Sequence, residues 1–298
     1  KIHDGKLDAG SFLEVPHVAA TASALGNRFA GDAQARITFE AAAEGELQPH
    51  LTAVMQKFEV AAVESPGQPY VHGTDLHIDA VAHGDRQTMD DRVHARLWFK
   101  DALVPDLRAY NRYLPNSRLR FVDGAGRLSG DLEFDREGGV GSGTFRVVGQ
   151  GVQLGVAELA MLGNVEIDTR LRRADLKSHS FNADGSRLSL KGVRVTSGDE
   201  VLGADWWGDV VLDRARLDWD KPIALDGQLQ VRMRDVAVLL ALYSQRKDLP
   251  GWIQKVVDAG EAQMEGRVQW QDNALLLDPF AASNDRFDVM ARLRLHDK

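Results

Sequence analysis

The chain of 298 residues is 44% hydrophobic and 27% charged, and its formal net charge at pH 7 is -8. These values are typical of a globular protein with one large or two ordinary domains, and they exclude disordered and fibrous classes. The acidic balance argues against a nucleic-acid partner, whose phosphates would repel the surface. The lack of cysteine excludes disulfides, thiolate metal sites and cysteine nucleophiles.

Alternation of apolar and polar residues runs through most of the chain and predicts β-strands, because successive side chains of a strand point to opposite faces. The polar positions carry Arg, Asp, Glu, Gln and Ser, as in an antiparallel sheet with one solvated face. The apolar positions of the predicted strands include Ile37, Phe39, Val54, Phe58, Val60, Leu76, Ile78, Val165, Ile167, Leu225, Leu229, Val231, Met233, Phe287, Val289 and Leu293.

The stretch "SRLSLKGVRV" shows how such a face can persist across an irregularity. Leu188 and Leu190 alternate with polar residues, but after Gly192 the apolar pair is Val193 and Val195, one position out of phase. A glycine bulge at Gly192 would absorb the extra residue and keep the apolar side of the strand on one face.

Two segments depart from this alternation and predict helices. The first, near residues 102–114, spaces Val104, Leu107, Tyr110 and Leu114 at helical intervals. The second, near residues 235–258, reads as two short helices separated by a Leu-Pro break. Asp101 and Asp235 are the predicted N-caps.

Both predicted helices belong to a repeated unit of strand, helix, Leu-Pro and a strand centred on glycine. The closing strands "GRLSGDLEF" and "AQMEGRVQW" align with Gly130 on Gly266 and Leu132 on Val268. Repetition of this kind predicts elongation rather than one closed globule. It divides the chain into an N-terminal β segment (1–92), a first β repeat unit (93–228) and a second (229–298).

Residues suited to catalysis or metal binding do not form a convincing group. His72, His77, Asp79 and His83 cluster in sequence, but residues six apart on a strand lie about 20 Å apart, too far to share a zinc ion. The glycines of "REGGVGSGTF" lack the Lys-Ser or Lys-Thr of a phosphate loop and suit a long hairpin loop better. We therefore expect no enzyme activity, no metal and no cofactor.

The stretches "SRLSLKGVRVTS", "GRLSGDLEFD", "IALDGQLQVRMRD" and "LYSQRKDLPGWI" resemble the AsmA-like proteins of Gram-negative envelopes, relatives of the bridge-like lipid-transfer proteins. The resemblance covers most of the chain from about Val93 onward and is weaker before it. It implies an elongated, strongly curved antiparallel sheet, a trough of repeated β units with a few short α-helices. It also implies a periplasmic location and a parent protein anchored in the inner membrane.

In that family the concave apolar side of the trough carries acyl chains between the two membranes. The resemblance thus implies a phospholipid or other acyl lipid as partner and membrane contact through parts of the parent outside this chain. Its candidate lining residues are Ile37, Phe39, Phe58, Leu97, Phe99, Leu132, Phe134, Ile167, Leu188, Leu190, Val193, Val195, Leu225, Leu229, Val231, Met233, Val268, Phe287, Val289 and Leu293.

The alternation also fits a different protein class, a non-catalytic structural or binding β-module of the envelope. In such a module the apolar faces would close on each other or on the helices, leaving no groove. Because a filled core and an open trough need the same alternation, both interpretations stand at this point. An extended β enzyme acting on polysaccharide would need an acid and base pair that the sequence does not indicate.

Overall fold

The computed structural model describes residues 2–3, 6–24, 26–41, 47–82, 93–114, 119–135, 140–175, 178–218, 224–236, 238, 260–271, 274–283 and 288–296. Strands make up almost all of this part, which confirms the prediction of a mostly β protein. The chain divides into two compact units. Unit 1 is Lys1–Val104, Arg127–Phe145 and Arg173–Ser178, and unit 2 is Pro105–Gly126, Arg146–Arg172 and His179–Lys298.

Unit 1 is an antiparallel sheet in which the long strands β3, β4 and β5 pair in chain order. The sheet continues through β7 to β8, and β10 pairs with β8. Its strands are β1 (Ile2–His3), β2 (Lys6–Leu7), β3 (Phe12–Ala24), β4 (Asn27–Ala41), β5 (Leu47–Ala62), β6 (Val71–Gly73), β7 (Leu76–Ala82), β8 (Val93–Val104) and most of β10 (Gly126–Asp135).

Unit 2 is also an antiparallel sheet. β14 pairs with both β12 and β15, and from β15 to β19 each strand pairs with the next along the chain. Its strands are β9 (Leu119–Asp123), the greater parts of β11 (Val140–Val156) and β12 (Leu159–Asp175), then β13 (Ser180–Asn182), β14 (Arg187–Ser197), β15 (Glu200–Asp218), β16 (Ala224–Met233), β17 (Ala262–Gln271), β18 (Ala274–Ser283) and β19 (Asp288–His296).

In each unit, two consecutive strands lie end to end and occupy a single place in the sheet. In unit 1, β6 and β7 both pair with β5 and with β8. In unit 2, β13 and β14 both pair with β15. Residues with positive φ lie at the two breaks, Asp75 at 55° and Gly185 at 78°, so a left-handed residue interrupts the ladder in both units.

The first predicted helix is present, but it is shorter and of a different type. A 3₁₀ helix covers Leu107–Tyr113, whereas Ala102–Val104 form the end of β8. Pro105 disfavours a helical conformation at the residue before it, so the helix cannot include Val104. The predicted N-cap Asp101 is wrong: Asp101 lies in β8, and the carboxylate of Asp106 accepts the hydrogen bond from the Arg108 N–H at 2.8 Å.

The second predicted helix, near residues 235–258, lies outside the described residues except for Asp235, Val236 and Val238. The glycine-rich stretch was predicted to be a long hairpin loop, but its described part is a strand, because β11 already begins at Val140. The aligned strands of the repeated unit show matching burial: Leu132 and Val268 are both buried, and Phe134 and Trp270 are both half-buried.

The bulge predicted at Gly192 is confirmed. Gly192 has a φ of 59°, and the register between β14 and β15 shifts between Leu190 and Val193. Val193 and Val195 are both buried. A second bulge overturns one prediction, because the pairing of β4 with β5 shifts between Asp32 and Ala33, which places Met55 rather than Val54 on the apolar side.

Replacing Gly192 by Val tests this backbone conformation without a steric clash, since the closest non-neighbouring atom to an added Cβ is Asp205 Oδ1 at 3.8 Å. A β-branched residue in the left-handed region costs about 1–2 kcal/mol. We expect Gly192→Val to lower the free energy of unfolding by that amount in urea denaturation. Asn tolerates this region, so Gly192→Asn is the control, and equal losses for both variants would contradict the bulge.

Candidate functional site

The strand register of unit 2 assembles apolar residues from successive strands on one face of the sheet. Ile167, Leu188, Val210, Val231 and Met264 are Cα partners from β12 through β17. Partners across an antiparallel pair lie on the same side of the sheet. These residues therefore form one continuous apolar row, and we call this side the inner face of unit 2.

A second row of the same face runs parallel to the first. It contains Leu212, Leu229, Gly266 and Phe280 from β15 to β18. Ser197 and Glu200 lie on the inner face by register and pair with each other beside the β14–β15 turn. The other described inner-face positions of β14–β18 are apolar or glycine. They are Leu188, Leu190, Val193, Val195, Gly203, Trp206, Gly208, Val210, Leu212, Ala215, Leu217, Leu225, Gly227, Leu229, Val231, Met233, Ala262, Met264, Gly266, Val268, Trp270, Leu275, Leu277, Phe280 and Ala282.

The opposite face of unit 2 carries cross-strand ion pairs. Arg267 on β17 contacts Asp226 on β16 through two hydrogen bonds of 3.1 and 2.8 Å. This guanidinium holds the pKa of the Asp226 carboxyl below its usual range. Arg146 on β11 pairs with Glu166 on β12 at 2.7 Å. Charge and apolar surface are thus separated onto the two sides of one sheet.

The inner face of unit 2 is covered at one end and partly accessible at the other. Val193, Val195 and Met233 are buried, and the ring of Trp206 fills the space above Gly208, where a Cβ would lie 2.5 Å from the ring. Leu188 of the first apolar row and Leu229 of the second are only half-buried. The face therefore includes apolar surface that the described side chains do not fully cover.

Unit 1 has the same organisation. Leu13, Ile37, Leu51, Ala80 and Ala95 are Cα partners across β3, β4, β5, β7 and β8 and form an apolar row on its inner face. Leu13 is 54% exposed and the other four are half-buried.

The other side of unit 1 carries ion pairs between strands. Arg36 on β4 contacts Glu14 on β3 at 3.1 Å. Arg96 on β8 forms two hydrogen bonds with Asp131 on β10, at 2.9 and 2.7 Å. Unit 1 thus separates charged and apolar surface as unit 2 does.

The candidate lining residues that the structure describes all occupy inner-face positions. The buried ones are Phe58, Leu97, Phe99, Leu132, Val193, Val195, Val231, Met233 and Val268, and the half-buried ones are Ile37, Phe39, Phe134, Ile167, Leu188, Leu190, Leu225 and Leu229. Val289 and Leu293 are described by their backbone register only, opposite Ala282 and Leu277. Phe287 lies outside the described residues.

Sequence reasoning missed several inner-face residues of β15, among them Trp206, Val210 and Leu212. In "DWWGDVVLD" apolar residues stand side by side at Trp206–Trp207 and Val210–Val211. Such pairs satisfy either phase of a period-two pattern, so alternation alone does not say which member faces inward.

The histidine residues predicted to share a polar face do not converge. The ring of His77 stacks on Trp98, with centroids 4.9 Å apart, while His72 lies 3.3 Å from Glu59. His83 is outside the described residues. Within the described ranges no three His, Asp or Glu side chains are grouped so that they could hold a metal ion.

Asp79 instead pairs with a histidine from another strand. His50 on β5 lies between two carboxylates, with Nε2 3.0 Å from Asp79 Oδ2 and Nδ1 3.5 Å from Glu40 Oε1. The hydrogen bond with Asp79, assisted by its charge and by Glu40, raises the pKa of His50 above its ordinary value. Three neighbouring strands, β4, β5 and β7, are joined by this contact.

Two tryptophans of the unit 2 inner face differ in how their N–H groups are satisfied. Trp206 Nε1 donates to the Asp235 carbonyl at 3.3 Å. Trp270 Nε1 is buried and finds no acceptor among the residues that the structure describes. A buried donor without an acceptor destabilises the folded state.

No protein-family model, curated protein or solved structure matches the chain. None of the helices in the described ranges has the length and apolar character that crossing a bilayer requires.

The His50 contact predicts a pH dependence of stability. A raised folded pKa means that the contribution of His50 is complete below its unfolded pKa near 6.5 and is lost as pH rises through the folded pKa. We expect wild type to lose up to about 1 kcal/mol more stability than His50→Gln between mildly acidic and alkaline pH. Urea unfolding of wild type and His50→Gln at several pH values across that range measures this difference in stability. Asp79→Asn should reproduce the effect, and an unchanged pH profile in both variants would refute it.

The tryptophan pair predicts unequal effects of the same substitution. Trp→Phe removes the same atoms at both positions, but only at Trp206 does it break a hydrogen bond. We expect Trp206→Phe to cost about 1 kcal/mol more than Trp270→Phe in thermal unfolding. Equal or reversed losses would show that the Trp270 N–H is satisfied in the folded protein.

Proposed function

We propose that the inner faces bind the acyl chains of phospholipid or another acyl lipid, and that the chain is part of an AsmA-like lipid-transfer protein of the periplasm. The observation that carries this proposal is the apolar inner face of unit 2, which is only half-buried at Leu188, Val210, Leu212 and Leu229, with the cross-strand ion pairs on the opposite side. The role is one of binding and transfer rather than catalysis.

The energetics of such a face suit a lipid carrier. Each buried methylene contributes about 0.8 kcal/mol, so an acyl chain is held by area alone and needs no specific contact. Because these contacts are non-directional, a chain can slide along the rows of Leu188 and Leu229 at nearly constant free energy. The charged side of the sheet remains in water.

Irregularities in strand pairing support a curved sheet. Among the described pairings of six or more residues, the register shifts within seven of ten. The seven are β3–β4, β4–β5, β12–β14, β14–β15, β15–β16, β17–β18 and β18–β19, whereas β5–β7, β7–β8 and β16–β17 are continuous. Bulges bend a strand and increase its twist. We propose that they curl each sheet into a trough with the inner face on its concave side.

The second candidate is a non-catalytic envelope module with a closed core. The complete burial of Val193, Val195 and Met233 at one end of the unit 2 face favours it. The two candidate functions predict different effects of a lysine substitution at a half-buried position. In an open trough the lysine can extend its ammonium group to water. In a closed core the same lysine would be trapped without a partner, at a cost of several kcal/mol.

Leu190→Lys and Leu229→Lys test the choice. We expect both variants to keep the wild-type circular dichroism spectrum and to lower lipid transfer by roughly tenfold or more, since an acyl chain would have to bury against an ammonium group. The measurement is transfer of fluorescent phospholipid between phosphatidylethanolamine and phosphatidylglycerol vesicles. Gln228→Lys, next to Leu229 on the charged side, is the control and should transfer as wild type does.

A photo-crosslinking residue at Leu229 and another at Gln230 complete the experiment. Capture of lipid at Leu229 and not at Gln230 supports the trough. If the lysine variants unfold and no lipid is captured at Leu229, the closed module is the correct function.

A further inference from the structure

The accessibility of the unit 1 inner face changes in the same direction along four neighbouring strands. At one end Ala33 on β4, Met55 on β5 and Leu76 on β7 are Cα partners and are all buried, and Phe99 on β8 is buried as well. At the other end the row of Ile37, Leu51, Ala80 and Ala95 is half-buried. Because the residues named on β4, β5 and β7 are Cα partners within each row, burial decreases over the same four residues of each of these strands.

Three phenylalanine rings produce this change. The ring centroids of Phe58 and Phe99 are 5.1 Å apart in an edge-to-face arrangement with an interplanar angle of 64°, and the Phe29 ring is tilted against both, 6.5 Å from Phe58 and 6.1 Å from Phe99. Edge-to-face packing at these distances is favourable beyond the area that it buries. We call Phe29, Phe58 and Phe99 the aromatic plug.

Glycines on the adjacent strands allow the aromatic plug to seat against the backbone. A Cβ on Gly73 of β6 would lie 2.3 Å from the Phe58 ring, and a Cβ on Gly130 of β10 would lie 2.8 Å from the Phe99 ring. These distances leave no room for a methyl group. The space over both glycines is therefore filled by the plug, and a methylene chain has no apolar surface to contact there.

The open part of the face is about as long as one acyl chain. On β5 the inner face is half-buried at Leu51 and becomes buried from Ala53 onward. The segment from Leu47 to Ala53 spans roughly 20 Å at the usual rise of a strand. One leaflet of a bilayer core, the length that one acyl chain fills, is about 15 Å thick.

We infer that unit 1 is a closed-ended site for a single acyl chain, with Phe58 as the residue that limits chain length. The chain enters past Ile37 and Leu51, and its methyl end stops at the aromatic plug. This inference rests on the proposed function and adds to it a direction of entry and a length limit, which a trough open at both ends would not have.

Binding of single-chain phosphocholine lipids of increasing acyl length, below their micelle concentrations, tests the limit on the full chain. In wild type, affinity should rise about fourfold per added methylene until the chain reaches Phe58, and then level off. Phe58→Leu shortens the plug while keeping it apolar, so the levelling should move to longer chains. Phe181→Leu is the control, since Phe181 is an equally buried phenylalanine of unit 2, and its levelling point should match wild type.

Lipids carrying a photoreactive group give a second readout that does not require the variant to fold. A group at the methyl end should label the peptide containing Met55 and Phe58, and a group beside the headgroup should label the peptide containing Leu47 and Leu51. Affinity that rises without levelling, an unmoved levelling point in folded Phe58→Leu, or the reversed labelling pattern would overturn the inference. Absence of any lipid binding by wild type would instead overturn the proposed function.

Discussion

Everything else in this structure depends on keeping apolar side chains on one side of a sheet whose strands are long and irregular. A shift of one residue in a strand moves its whole set of side chains to the other face. The bulges at Gly192 and beside Met55 each absorb one residue and restore the phase. Ion pairs such as Asp226–Arg267 then hold the same register from the charged side.

Those local requirements explain what could be predicted from sequence. The strands, the bulge at Gly192 and the inward direction of residues such as Leu188 follow from period-two alternation, which is a property of each strand alone. The exclusion of Ala102–Val104 from the helix depends on Pro105, whose effect on Val104 is local and could have been anticipated. Val54 was misplaced because the extra residue beside Met55 carries no glycine signal.

Contacts between strands were beyond such reasoning. His50 and Asp79 are 29 positions apart, and the rings of Phe29 and Phe99 come from strands separated by β5 and β7. The same limit applies to the candidate site. Leu229 and Val193 have equivalent places in the sequence pattern, but one is half-buried and the other fully buried. Accessibility is decided by what lies over the sheet, for example the Trp206 ring over Gly208.

The pairing of β15 to β19 in strict chain order has a consequence for how unit 2 folds. Short connections join β15 to β16, β17 to β18 and β18 to β19, so loop closure costs little entropy there and each of these hairpins can form by itself, whereas residues 234–261 separate β16 from β17. Interactions then reach mainly to nearest neighbours, as in a linear array. A destabilising substitution in one hairpin therefore affects mainly that hairpin and its neighbours. A sheet of this kind can also be lengthened by duplication of a hairpin while the sequences of the existing strands stay the same.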